Sequence, residues 1–168
     1  AVKEFDKIRR KYFAAYGNAR KDSMFRILQQ LLLLLKICAD PSLAYEYDSN
    51  EVPTKVKKAI RLLQMWKYEK VAIGVRRIEV ADSYYRYLKQ AFPERQIFYI
   101  TGDKVPCKQR QRIVEKLRKT ENGILLSTQQ SLSESMNIDD VDKIILPELH
   151  YNHAAMEQYY FRSEERRV

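Results

Sequence analysis

The chain has 168 residues, the length of one ordinary domain, and 45% of them are apolar, which is enough to build a packed core. Its longest purely apolar run, Leu31 to Leu35, falls far short of the roughly 20 residues that cross a bilayer, and no signal peptide is visible. The formal charge of +9 points to polyanionic partners and is unevenly spread: residues 1–50 carry +3, residues 51–120 carry +11 and residues 121–168 carry −5. One face or edge that meets phosphate would concentrate charge in this way, and a generally solvated Lys/Arg surface is the alternative.

In chain order, residues 22–37 place Met24, Leu28, Leu31 and Leu35 at three- and four-residue intervals, with Phe25, Ile27 and Leu32 widening the stripe. This spacing predicts an amphipathic or largely buried helix. Residues 39–53 lose the periodicity and gather Pro, Ser, Asp and Asn, which reads as a connecting loop. Residues 1–52 are therefore expected to form a helical extension and linker ahead of a domain over 53–168.

That domain opens with a predicted helix from about Pro53, whose apolar side is Val56, Ala59, Ile60, Leu63 and Trp66. Four short apolar runs follow, at 71–75 (VAIGV), 97–100 (IFYI), 124–126 (ILL) and 144–146 (IIL), each with the length of a buried strand. Between them Val80, Tyr84, Leu88 and Ala91, and then Ile113, Val114 and Leu117, recur at helical spacing. Strand and helix in alternation predict an α/β fold, a parallel sheet with helices on both faces. Right-handed crossovers gather the strand ends on one edge, where such folds keep their ligand loops.

Cys38 and Cys107 stand in unlike segments with no neighbouring Cys or His to complete a metal cluster, so they read as cytosolic free thiols. His150 and His153 lie three apart without carboxylate or Cys support, and no metal is expected there. The chain begins with Ala1 and stops within the charged cluster Ser163 to Arg167, so it is expected to be a piece of something larger.

Four segments follow predicted strands: 74–77 (GVRR), 101–104 (TGDK), 127–137 (STQQSLSESMN) and 148–166. Taken singly, Gly102 supplies a turn conformation or a place in a site, and Ser127 and Thr128 cap the next helix or offer hydroxyls to a ligand. Taken in order, they carry a resemblance. Thr54-Lys55 opening a helix, KVAIGV (70–75), YITGDKVPCKQRQRIVEKL (99–117), GILLSTQQSLSESMNI (123–138), KIILPELHYNHAAMEQ (143–158) and QYYFRSEER (158–166) resemble the second RecA-like lobe of superfamily-two helicases and translocases. The Swi/Snf-type branch, with its phage and bacterial relatives, is the most similar. LLLLLKICADPSL (31–43) is similar to the leucine-rich helix and turn that often precede this lobe in that branch.

The resemblance implies a RecA-like fold and particular roles. Residues 127–138 correspond to motif V, which touches the nucleic-acid backbone, so Ser127, Thr128 and Gln129 are expected to contact phosphate. Glu134 and Asn137 fall on the nucleotide side or the lobe interface, with core or capping roles as alternatives. Residues 158–166 resemble motif VI: Gln158 takes its first position, Arg162 the arginine that stabilises charge on a transferring γ-phosphate, and Arg166 the second arginine. An exposed, salt-bridging Arg162 on a final helix is the alternative. Phe161 replaces the motif's glycine, Arg166 is displaced by one with Glu165 in its place, and Ser133 and Ser135 stand where motif V usually has glycines. Arg76 and Lys104 are expected on the nucleic-acid backbone, and Arg110 either joins them or forms a structural ion pair. Most of the twelve tyrosines read as core or rim.

A phosphate-binding loop needs glycines bracketing four residues before a Lys and Ser/Thr. Gly17, Gly74, Gly102 and Gly123 are not so spaced, and no Asp-Glu pair offers a magnesium box. ATP and Mg are thus expected on a first RecA-like lobe elsewhere in the full-length protein, with neither tightly bound here and no useful hydrolysis by this chain alone. The expected partners are that lobe and DNA, with RNA as the alternative and no membrane. The expected setting is the cytoplasm of a bacterial or phage-infected cell, or the nucleus of a eukaryote. The rival to a motor lobe is a nucleic-acid clamp without motor coupling.

Overall fold

A computed structural model of the chain describes Arg10 and residues 23–43, 51–131 and 140–149. The chain divides into two compact units, Ala1–Lys55 and Val56–Val168. In the first, helix α1 (Ser23–Ala39) ends in a 3-10 turn, Pro41–Leu43. Asp40 builds that ending: its Oδ1 accepts from Ser42 N–H at 2.9 Å and from Ser42 Oγ at 2.7 Å, an Asx-type turn that helix-continuing residues could not make. Leu28 and Leu31 of the predicted stripe are exposed, so α1 is not largely buried over this stretch.

The second unit holds all but the first two residues of α2 (Thr54–Met65), then β1 (Val71–Val75), α3 (Ile78–Ala91), β2 (Ile97–Ile100), α4 (Cys107–Arg118), β3 (Ile124–Thr128) and β4 (Lys143–Ile145). The four predicted strands and the three helices predicted between Pro53 and Leu117 are all present; the final helix expected around Arg162 lies outside the described residues. β3 runs two residues beyond its apolar run because the ladder continues, with Gly74 opposite Ser127 and Val75 opposite Thr128. Ser127 and Thr128 are thus strand residues, and the turn begins after them.

All pairings are parallel, in the order β2-β3-β1-β4. The two central strands, β1 and β3, are buried at every position, which is why their sequences are continuous apolar runs rather than alternating ones. The connection from β1 to β2 passes in one direction across the sheet and that from β2 to β3 returns. Right-handed crossovers therefore place α3 and α4 on opposite faces. Under α4, Val114 and Leu117 join Ala72, Phe98, Ile100 and Leu125 in one apolar cluster. Gly123 leads into β3 with no room for a side chain: a Cβ there would lie 2.6 Å from Leu117 Cδ1 and 3.0 Å from Phe98 Cε2.

At the opposite end of the sheet from the strand-end loops, Arg95 ties three segments together. The residue is 8% exposed, and its guanidinium donates to Leu63 O at 3.0 Å, Trp66 O at 3.3 Å, Glu69 O at 2.5 Å and Asn122 O at 2.5 Å. The first three carbonyls belong to the last turn of α2 and the turn after it, where helical carbonyls lose their intrahelical partners and the dipole is negative, though Trp66 O also accepts from Glu69 N–H at 3.1 Å. Burial pushes the Arg95 pKa below its ordinary value, yet a guanidinium remains charged at any working pH.

Candidate nucleic-acid interface

The sheet order fixes where a ligand crevice falls. β1 leads on to β2, beyond β3, and β3 leads on to β4, beyond β1, so right-handed crossovers take the connections of these two neighbouring strands to opposite faces of the sheet and they diverge at the C-terminal ends. Divergence of this kind opens a crevice in open parallel sheets. A cavity of about 700 Å³ lies there, lined by Arg76, Arg77, Ile78, Glu79, Gly102, Arg110, Thr128, Gln130 and Ser131. Three arginines against one glutamate make its lining cationic, and the hydroxyls and the first turn of α3 add neutral donors suited to phosphate oxygens.

Each wall has a local cause. Arg77 is the N-cap residue of α3, with φ −125° and ψ 149°, so Arg76 and Arg77 leave the sheet just where the helix begins. Thr128 caps the helical turn Gln129–Ser131: its Oγ1 accepts from Ser131 N–H at 3.4 Å and donates to Ser131 Oγ at 2.8 Å. Arg110, only 8% exposed, reaches across from α4, anchored by Nε donating to Val105 O at 3.1 Å. Gly102 completes the wall between them. Among the described residues no glycine has a positive φ, so Gly102 does not serve a left-handed turn. A Cβ on it would meet Arg110 Nη2 at 3.8 Å and Ser131 Oγ at 4.0 Å, ordinary contact distances.

The residues expected at phosphate separate into three groups. Arg76 and Thr128 line the cavity. Ser127 and Gln129 face inward. Ser127 Oγ is buried without a hydrogen bond, and Gln129 Nε2 donates to Gly74 O at 3.2 Å and Glu148 O at 2.6 Å, stapling the end of β1 to the segment after β4. Lys104 lies apart from the cavity, with Nζ 2.5 Å from Asp82 Oδ1 and 4.9 Å from the centre of the Tyr99 ring. Tyr99 OH donates to the same Asp82 oxygen at 2.9 Å, and its ring stacks on Tyr85 with centroids 5.1 Å apart. The Lys104 hydrogen bond holds the Asp82 carboxyl below its ordinary pKa, and the same bond raises Lys104. Burial, aided by the Asp82 hydrogen bond, raises Tyr99. Glu134, Asn137, Gln158, Arg162 and Arg166 lie outside the described residues, as do His150 and His153.

Sequence reasoning did not select Arg77, Ser131 or Glu148. The Thr-x-x-Ser spacing of a capped turn was a signal for Ser131. Arg77 was named beside Arg76, but nothing local showed that both would line one cavity. Glu148 offered no sequence signal, because its partners are 72 and 71 residues away: its Oε2 accepts from Arg76 N–H at 3.0 Å and its Oε1 lies 3.6 Å from Arg77 Nη1.

Parallel order and a strand-end cavity lined by three arginines define an α/β lobe with a cationic crevice. Residues 54–163 match the helicase conserved C-terminal domain, and the chain belongs to that family. Its fold is similar to that of the Sulfolobus solfataricus SWI2/SNF2 ATPase C-terminal domain, at 12% identity and a TM-score of 0.68, covering 98% of this chain and 82% of that one. It is also similar to the C-terminal part of the Fun30 ATPase domain (18% identity, TM-score 0.61, 96% of this chain) and to T4 UvsW (10% identity, TM-score 0.57, 86% of this chain). The chain spans 57% of the Fun30 chain and 26% of T4 UvsW. No curated protein sequence matches it. At these identities the likeness is one of fold, and it is RecA-like, as the sequence resemblance implied.

Proposed function

We infer that this chain is the second motor lobe of an ATP-dependent DNA helicase or translocase, gripping one strand's backbone while the other RecA-like lobe of the same protein binds ATP and Mg. The observation that carries the reading is the cavity at the divergence of β1 and β3, where Arg76, Arg77 and Arg110 converge with the Thr128 and Ser131 hydroxyls. Guanidinium groups and hydroxyls of this kind hold phosphate oxygens without reading bases, which suits a protein that must step along any sequence. In this mechanism Arg162, with Gln158 and Arg166 in the same segment, meets the γ-phosphate across the cleft between lobes. Glu134 and Asn137 fall on the nucleotide side of that cleft. Lobe closure on ATP and reopening after hydrolysis shift the backbone grip, turning phosphoryl transfer into movement.

The test is DNA-stimulated ATP turnover by the full-length protein, wild type against Arg162→Ala, over a salt series. A loss of roughly a hundredfold or more in turnover with DNA affinity little changed is the expected result. Unchanged turnover refutes the role of Arg162. Absence of turnover in both proteins, with DNA binding still salt-sensitive, replaces the motor with a clamp. Stimulation by RNA but not by DNA reassigns the substrate.

A further inference from the structure

Glu148 is the one acidic side chain of the segment after β4 that the structure describes, and it is only 8% exposed. It is not part of the cavity lining; it stands behind that wall and holds two of its members. One carboxylate oxygen accepts the Arg76 N–H at 3.0 Å, and the other faces Arg77 Nη1 at 3.6 Å. The second distance is too long for a hydrogen bond, and Arg77 Nη1 is buried with no hydrogen-bond partner at all. Arg77 is thus neutralised by a neighbouring charge while one of its donors remains unsatisfied. A half-buried guanidinium, its side chain 18% exposed, in that condition gains from a second, better-placed oxygen.

The backbone of Glu148 is fixed independently of its side chain, because its carbonyl accepts from Gln129 Nε2 at 2.6 Å. Rotation of the carboxylate away from Arg77 therefore needs no movement of the chain. Resting on the phosphate reading of the cavity given above, we propose that Glu148 is a resident anion that competes with nucleic-acid phosphate for Arg77 and so holds the backbone grip weaker than the arginines alone would make it. A motor must release each phosphate as well as hold it, and a carboxylate waiting behind the guanidinium lowers the cost of release.

The experiment measures binding of a fluorescein-labelled duplex and single strand to the full-length protein without nucleotide, across a salt series. Glu148→Gln keeps an acceptor for the Arg76 N–H and removes the charge. It should tighten binding on the order of threefold to tenfold near 0.1 M salt, and steepen the slope of log affinity against log salt by at most about 0.9. Glu148→Asp keeps the charge and should stay nearer wild type than Glu148→Gln. Arg77→Ala should weaken binding and flatten the slope, and in that background Glu148→Gln should change affinity little. Loss of affinity in Glu148→Gln, or a gain that persists in the Arg77→Ala background, overturns the competition while leaving the cavity's role intact. An Arg77→Ala variant that binds both probes like wild type overturns the phosphate reading itself.

Discussion

Replacing Arg95 with Met keeps much of the aliphatic stem and removes the guanidinium, leaving the carbonyls of Leu63, Trp66, Glu69 and Asn122 without the donor that now joins them. Hydrogen bonds to a charged donor contribute about 1.5–3 kcal/mol each, so four summed independently would give roughly 6–12 kcal/mol. That sum overshoots, because burying the guanidinium costs several kcal/mol that the variant no longer bears, and water can reach some of the freed carbonyls. The expected net loss is about 3–5 kcal/mol, the range seen when one partner of a buried charged network is removed. In urea the unfolding midpoint should fall by roughly 2 M with the slope unchanged. Arg95→Lys should recover less than half of the loss, since three donors radiating from one nitrogen cannot span carbonyls on both α2 and the turn before β3. A loss below about 1 kcal/mol in Arg95→Met, with the same slope, would refute the reasoning that these carbonyls depend on Arg95.

Two further outcomes test the packing and the titrating cluster. Gly123→Ala places a methyl 2.6 Å from Leu117 Cδ1 and 3.0 Å from the Phe98 ring, and should destabilise the fold by about 1–3 kcal/mol in urea unfolding; Phe98→Leu in the same chain should recover part of that loss. Tyr99 has a folded pKa raised above its ordinary 10.0, mainly by burial, so its contribution to stability is complete below pH 10 and is lost as pH rises towards the folded value. Urea midpoints measured from pH 8 to 11 should decline less steeply in Tyr99→Phe than in wild type, and parallel declines would contradict the assignment.

The architecture was legible because its signals are local. VAIGV, IFYI, ILL and IIL are too short and too uniformly apolar for anything but buried strands once helical stripes separate them, and the structure places a strand at each. The end of β3 was less legible: Ser127 and Thr128 look like turn residues, yet pairing with Gly74 and Val75 holds them in the sheet. Lys104 follows a strand and reads as a phosphate contact, but Asp82 on α3 engages it, and that partner is 22 residues away. Gln129 looks like a polar loop residue and instead holds two carbonyls from distant segments.

Apolar periodicity and charge distribution were enough to specify a basic parallel α/β lobe, because helix and strand periods are written in neighbouring residues, and the order of short motifs carried the resemblance to helicase lobes. Which arginines converge, which hydroxyls face the crevice and which glutamate stands behind Arg77 were decided only when β1 came to lie between β3 and β4. Parallel pairing joins strands separated by whole crossovers, so the side chains that share the strand-end cavity are dozens of residues apart, and no local pattern encodes their meeting.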